Sequence, residues 1–458
     1  MKTAKRNEID MTHGPMGVNI LHFAIPFMFA SIMNLLFNAA DVIVVGKFAG
    51  DHAQAAVTST TSLINLLINV FLGLGVGVNV VVAQALGGGE KSRVNSVVHT
   101  AVAVGLVSGT FLTVVGEVFA PVLLRLMGSP DSIIGLSTVY LRFYFLGLPG
   151  ALVYSFGSAL LRARGDTKRP MYYLTLAGAI NLLLNLIFVI SFHWDVAGVA
   201  IATAISKWVS ALLVVRCLTH ESGMMHLDLH ELRIDWTALK QIARIGLPAG
   251  LQSSLFSLSN VTIQSAVNSM GDVVMAGSGA AANIGTFVYT TANAFYQSSI
   301  TFTSQNRGAG KPERIDRAYR WNLLFAILFP TITGFAAFVA GPWLLSIYTN
   351  NPEVIAQGMI RMRIVTISYG LCGMMEVSIG VMRGLGRSVL SMVISLVATC
   401  AFRIAWVATV FAAVGTAESL FACFPVSWVV AIVVFGLCIL VIRPKEYAKI
   451  RAQAAQQE

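Results

Sequence analysis

At 458 residues, the chain is long enough for about three soluble domains of ~150 residues each. Composition points elsewhere: 56% of the residues are apolar and only 11% are charged, against roughly 25% charged in a soluble domain, and the mean hydropathy is +0.74. So few charged side chains cannot cover a folded body of this size unless much of its surface faces lipid. Soluble enzymes and disordered scaffolds are excluded, and so are nucleic-acid binders, despite a net charge of +10.

In chain order, the first sixteen residues are polar, with Lys2, Lys5 and Arg6. The apolar run behind them is too long for a signal-peptide core, so it reads as a retained first span. A stretch of about 20 apolar residues crosses a ~30 Å hydrocarbon core. Twelve such stretches follow one another, near 17–46, 53–86, 94–120, 133–160, 170–192, 196–218, 240–270, 275–305, 315–341, 353–383, 388–413 and 418–442. The predicted fold is therefore an all-α polytopic membrane protein with twelve transmembrane helices. Of the 31 Lys and Arg residues, 24 fall in the termini and in the loops after even-numbered spans, while the opposite loops hold only Lys47 and Arg125. That asymmetry predicts cytoplasmic termini. Cys217, Cys372, Cys400, Cys423 and Cys438 lie mostly in apolar runs without CxxC spacing and read as packing residues.

Residues 219–238 form the longest polar stretch between spans and divide the chain six spans from six. The halves align at an offset of 221: Pro121 with Pro342, Arg142 with Arg363, Gln84 with Gln305, Gly89 with Gly310 and Arg162 with Arg383. Pro26 pairs with Pro248 after one further residue. An even number of spans per half makes the repeats parallel, the arrangement of two bundles that rock about a central cleft. The predicted organisation is a cytoplasmic segment 1–16, an N-lobe 17–218, a cytoplasmic linker 219–238, a C-lobe 239–442 and a cytoplasmic tail 443–458.

Several strings in this order resemble the multidrug and toxic compound extrusion (MATE) family. Ala24-Ile-Pro26 precedes NAADVIVVGKFAG by fifteen residues to Asp41, and VVVAQALGGGEKSR, SALLRARGDTKRP, AINLLLNLIFV and VAGVAIATAIS follow. The second half adds GLPAG, TSQNRGAGK and GVMRGLGRS. The resemblance covers about residues 17 to 442. It implies a two-lobed secondary transporter of the bacterial inner membrane, acting as a monomer, with small-molecule drugs and the lipid bilayer as its partners and no nucleic acid. Organic cations or amphipathic drugs would leave in exchange for H⁺ or Na⁺, the only ion required, with no cofactor and no structural metal.

Ionisable groups inside a membrane are expensive and each needs a reason. Asp41 reads as a cation- or proton-binding carboxylate or as a cap where the first span ends. Its spacing from Pro26, which removes a backbone hydrogen bond and can bend the helix as a gate, favours the first reading. In the DinF-type branch the resemblance places an N-lobe site on Asp41, Asn181, Asn185 and Thr203. This chain has Asn185 where members of that branch often carry a second Asp, so its site has one carboxylate. Asn181 and Asn185, four residues apart, share one helix face and could equally bond helix to helix. Glu376 is the second acid; its repeat partner is Ser155, and it titrates alone, contacts a cationic substrate or serves as a structural hydrogen-bonding group. The NorM-type acids on spans seven and ten find no counterpart, since span seven offers Gln252, Ser253, Ser254 and Asn260 and the span-ten position corresponds to Cys372. Lys207 and Arg403 either pair with acids inside a lobe or reach the headgroups.

Asn38, Gln252, Tyr289, Asn293, Tyr296, Gln297 and Met375 are expected to line the substrate cavity, while GLGVGVN (73–79) is expected to permit close helix packing. GAGK (308–311) lacks the spacing of a phosphate loop. The linker residues His226, Asp228, His230 and Glu231 read as a solvated face rather than a metal site. Three rivals remain: a lipid-linked oligosaccharide flippase of related fold, which needs a strongly cationic cavity; a membrane-embedded enzyme, which needs a clustered catalytic set; and a channel.

Overall fold

The computed structural model describes residues 8–126 and 130–455, so Lys2, Lys5 and Arg6 of the expected cytoplasmic segment lie outside the described residues. Among the described residues there is no strand, and twelve long helical passes carry the chain. In the first half they are α1 (Met16–Phe48), α2 (Asp51–Gly87), α3 (Lys91–Leu126), α4 (Asp131–Leu146 and Leu148–Ala163), α5 (Lys168–Ser191) and α6 (Asp195–Thr219). The second half has α7 (Trp236–Asn268), α8 (Asp272–Gly308), α9 (Pro312–Val339), α10 (Pro352–Thr366 and Tyr369–Gly384), α11 (Ser388–Val414) and α12 (Ala417–Phe421 and Cys423–Ala455).

Among the described residues, eight helices are long and apolar enough to cross a membrane, and α4 and α10 make ten when each bent pair counts as one span. The α4 pair bends by 45° and the α10 pair by 41°. In α4 the break falls at Gly147-Leu-Pro149, where the proline has no N–H to continue the ladder. The two helices outside that count, α7 and α8, occupy the positions expected for spans seven and eight. Gln252, Ser253, Ser254, Ser257, Ser259 and Asn260 dilute the first, and the run from Tyr289 to Asn306 dilutes the second.

Contacts divide the chain into two units. The first holds Phe29–Gly250 together with Glu8 and Ile9; the second holds Asp10–Met28 and the chain from Leu251 onward. The division falls inside α1 and α7 rather than at the polar linker. It lies two residues beyond Pro26 and two beyond Pro248, so each helix that changes unit does so beside a backbone hydrogen bond that proline removes.

In the first unit, glycines set how closely helices approach. A Cβ on Gly73 or Gly77 of α2 would run into the backbone of α7 at Gly250 or Ile242, so the close-packing reading of the α2 glycines holds. The linker lies along α3: the amide of Asp228 donates to His99 Nε2 at 3.1 Å, and that of Asp235 to Thr100 Oγ1 at 3.0 Å. Its acids and histidines do not converge; among the described residues no group of three or more His, Cys, Asp or Glu is placed to hold a metal. Where α4 hands over to α5, Asp166 accepts from the Lys168 and Arg169 amides, each at 3.0 Å, capping two N–H groups the helix leaves unpaired. Arg169 also pairs with Asp166 and Glu221, while Arg164 bridges Glu221 at 2.5 Å and Glu8 at 2.8 Å. Burial pushes the Glu221 carboxyl up, but the hydrogen bonds and charges of Arg169 and Arg164 outweigh it and hold the group below its ordinary value.

In the second unit the segment before α1 is clasped by α8 and α9. Asn306 donates to the Met11 carbonyl at 3.1 Å, and Arg314 donates to the carbonyls of Met11 and His13 at 3.2 and 3.0 Å. Phe23 meets Phe302 edge-on at 6.0 Å. Arg443 and Tyr447 of α12 hold Asp316 of α9, and Glu446 lies between Arg387 and Arg307. All five cysteines are free, and Cys372, Cys400 and Cys423 are buried.

Candidate functional site

Within the first unit, α1, α5 and α6 bring Asp41, Asn181, Asn185 and Thr203 together. Gly178 makes this possible, because a side chain there would overlap the Phe37 ring of α1 one turn before Asp41. Asn181 and Asn185 follow Gly178 on α5 and are 5% and 0% exposed. Their amides form a chain. Asn181 Nδ2 donates to Thr203 Oγ1 at 3.2 Å, Asn185 Nδ2 leans on Asn181 Oδ1 at 3.4 Å, and the same Asn185 nitrogen donates to Asp41 Oδ1. Asn185 Oδ1 is buried and has no hydrogen-bond partner. The arrangement aims an amide donor at the carboxylate and leaves one amide oxygen free to accept, which suits a carboxylate that takes up a proton or a hard cation.

These residues open on a small cavity that Asn34, Asn38 and Lys207 also line. Its free volume is about 90 Å³, room for roughly three waters at ~30 Å³ each. A bare ion or a small headgroup fits; a drug-sized molecule, which needs at least ~300 Å³, does not. Lys207 reaches the cavity from α6, its stem passing Gly147, where an added Cβ would lie 3.2 Å from Lys207 Cδ. Its ammonium sits 3.3 Å from the centre of the Tyr144 ring, as a cation over an aromatic face. Lys207 thus lines the same cavity as Asp41 but forms no ion pair with it, so the pairing reading is not met among the described residues.

In the second unit Glu376 lies on α10, and Tyr289 of α8 donates to its Oε1 at 3.3 Å. Arg383, two turns later on α10 and 5% exposed, donates to Gln252 Oε1 at 2.7 Å and to the Tyr296 hydroxyl, with its guanidinium 5.6 Å from that ring. Gln252 and Tyr296, expected on a cavity wall, are thus acceptors for a buried arginine. Asn293 and Gln297 follow Tyr289 at intervals of four on α8 and are half-buried, whereas Met375 is buried. Pro26 is buried inside an unbroken α1. Among the described residues Arg403 pairs with no acid: Nε donates to Ser427 Oγ at 2.9 Å, and the guanidinium lies 4.5 Å from the Phe424 ring centre.

A family model described as MatE matches the chain twice, over residues 26–187 and 248–409. The chain belongs to the MATE family. The two matches begin at Pro26 and Pro248, so the internal repeat and the family repeat are the same. As a MATE protein it is a multi-pass membrane transporter and not an enzyme. It is 27% identical over 383 residues to "Probable multidrug resistance protein YoeA" of Bacillus subtilis, covering 82% of this chain and 83% of that one. It is 26% identical over 390 residues to "FAD transporter" of Shewanella oneidensis, covering 83% and 85%. A solved structure described as the "Outward-facing conformation of a multidrug resistance MATE family transporter of the MOP superfamily" shares the fold with a TM-score of 0.89, at 20% identity, over 97% of this chain and 99% of that chain.

Proposed function

We propose that the protein exports organic cations and amphipathic drugs from the cell in exchange for H⁺ or Na⁺, by alternating access. The observation that carries this reading is the Asp41 carboxylate, held by a chain of amides at the edge of a cavity sized for an ion. A relative named for multidrug resistance supports export as the task, and an ion-binding carboxylate inside the spans is a group that ion-driven export can use. Asn181, Asn185 and Thr203 position Asp41, and Pro26 is the hinge at which α1 changes shape. Glu376 is a second protonatable acid, and Asn38, Tyr289, Asn293, Gln297 and Met375 form the surfaces that drugs contact, while Gln252 and Tyr296 hold Arg383 behind them. Ion and drug drive transport if they favour opposite-facing states, since a ligand shifts an equilibrium only through differential affinity.

In this reading the protein works as a monomer in the bacterial inner membrane with both termini cytoplasmic, and it needs no cofactor. We read it as nearer the DinF-type than the NorM-type branch, a reading that Asp41, Asn181 and Thr203 and the lack of an acid on α7 support. Ethidium efflux from vesicles under an imposed pH or Na⁺ gradient tests the coupling. Asp41→Asn abolishes gradient-driven efflux if the reading holds, and unchanged efflux in both Asp41→Asn and Glu376→Gln removes it.

A further inference from the structure

Two buried polar atoms at the Asp41 site have unmet capacity of opposite kinds. Asn185 Oδ1 lacks a donor, and the Lys207 ammonium lacks an acceptor. Both residues line the cavity that Asp41 lines, and Lys207 lies near enough for its charge to act on that of Asp41. Its charged and titratable neighbours are identifiable, and the neutral side chains of Asn34, Asn38, Thr203, Ser206 and Ser210 line the cavity as well. Asp41 comes from α1, the phenols Tyr140 and Tyr144 from α4, the amides Asn181 and Asn185 from α5, and Lys207 itself from α6. The site therefore contains one carboxylate, one ammonium and otherwise neutral groups, so it already carries its own counter-charge.

From this geometry we propose that Lys207 is a tethered cation that competes with the coupling ion for Asp41, so that the site exchanges protons and shuts out Na⁺. The proposal rests on reading Asp41 as the coupling acid and names the ion that acid takes. When Asp41 is ionised, the Lys207 side chain leaves the Tyr144 ring and its ammonium satisfies the carboxylate and Asn185 Oδ1. A proton taken from water makes Asp41 a neutral acid, and the ammonium returns to the ring, the position seen here. Release of that proton to water restores the pair. Na⁺ cannot play the same part. It fits the cavity by size but would sit there beside a like charge, and two of the oxygens it would use, Asn181 Oδ1 and Thr203 Oγ1, already accept hydrogen bonds. A proton is bound covalently and leaves Asp41 neutral beside the ammonium.

The test is equilibrium binding of radioactive sodium to the purified protein in detergent, against choline at fixed ionic strength. The wild type shows no Na⁺ binding that depends on Asp41. Lys207→Met and Lys207→Gln gain it, with affinity raised on the order of tenfold or more, as expected when a charge a few Å away is removed. Adding Asp41→Asn to either variant abolishes the gain. Na⁺ binding by the wild type that is lost in Asp41→Asn overturns the proposal, and needs no lysine variant to fold. Lys207 variants that fold but bind no Na⁺ overturn it as well. Binding is read without transport, so the two readings fail separately: intact efflux in Asp41→Asn removes the coupling role, while the Na⁺ result decides what Lys207 excludes.

Discussion

Each unit holds a membrane-embedded acid near a basic residue, yet the two acids live differently. In the second unit the basic partner is spoken for: Arg383 is fixed by Gln252 and Tyr296, and Tyr289 covers an oxygen of Glu376. Those bonds tie α7, α8 and α10 together. In the first unit the basic partner is loose. Lys207 rests on a ring, makes no hydrogen bond, and shares a cavity with Asp41. A buried guanidinium bonded through two of its nitrogens is held in one place, whereas an ammonium with no hydrogen bond keeps an alternative position available. The contrast teaches that the neighbours' unmet bonding capacity, more than the presence of an acid, marks the group free to change its charge.

Exchanging the two acids for amides is the sharpest way to break this comparison. Asp41→Asn should lower gradient-driven ethidium efflux from vesicles by on the order of tenfold or more, a barrier or affinity change of at least ~1.4 kcal/mol. Glu376→Gln should fall well short of that, and equal losses would erase the distinction between the units. The next largest effect is on stability. Arg383→Met leaves Gln252 Oε1 and the Tyr296 hydroxyl without their buried donor, at about 2–4 kcal/mol for two such groups. Thermal unfolding in detergent should show that loss, while Lys207→Met should unfold no more readily than wild type. A smaller effect is expected from Asn181→Ala, which removes the middle of the amide chain but leaves Asn185 on Asp41. Its efflux should drop by roughly fivefold, one hydrogen bond's worth at ~1 kcal/mol, against little change for Tyr289→Phe.

Much of this frame was legible beforehand. The pairing of Pro26 with Pro248 and Arg162 with Arg383 exposed the repeat, and the four-residue interval of Asn181 and Asn185 placed both on one face of α5. Asp41 joined them because Gly178 lets α1 come close, and a glycine in a helix is a visible signal for that. The partnership of Lys207 with Tyr144 was not legible: 63 positions separate them, and no periodicity within α6 says which neighbour a lysine meets. The same limit applied to Gln252 and Tyr296. A polar residue inside a span can face a cavity or serve another side chain, and only the position of Arg383 across three helices decides between them. α7 and α8 illustrate a further limit, since polar residues used between helices lower the very hydropathy by which a span is found.

The smallest predicted effect sharpens the comparison from outside the membrane-spanning helices, at an acid that should never change charge in use. Glu221 is 6% exposed and lies between Arg164 and Arg169. Burial alone would raise its carboxyl, but the two guanidiniums hold it below the ordinary 4.5. The folded protein therefore binds a proton at Glu221 more weakly than the unfolded chain does. Its stabilisation is complete above the unfolded value and disappears as the pH falls through the lower folded value. Melting temperatures measured from pH 7 down to about 3 should stay level to near ~5 and then drop. Glu221→Gln should melt lower at neutral pH and show a shallower acid drop, because it has no charge to lose. Asp41→Asn should leave that acid limb unchanged. If instead the limb follows Asp41 and ignores Glu221, the division between an acid clamped by arginines and an acid free to titrate is drawn in the wrong place.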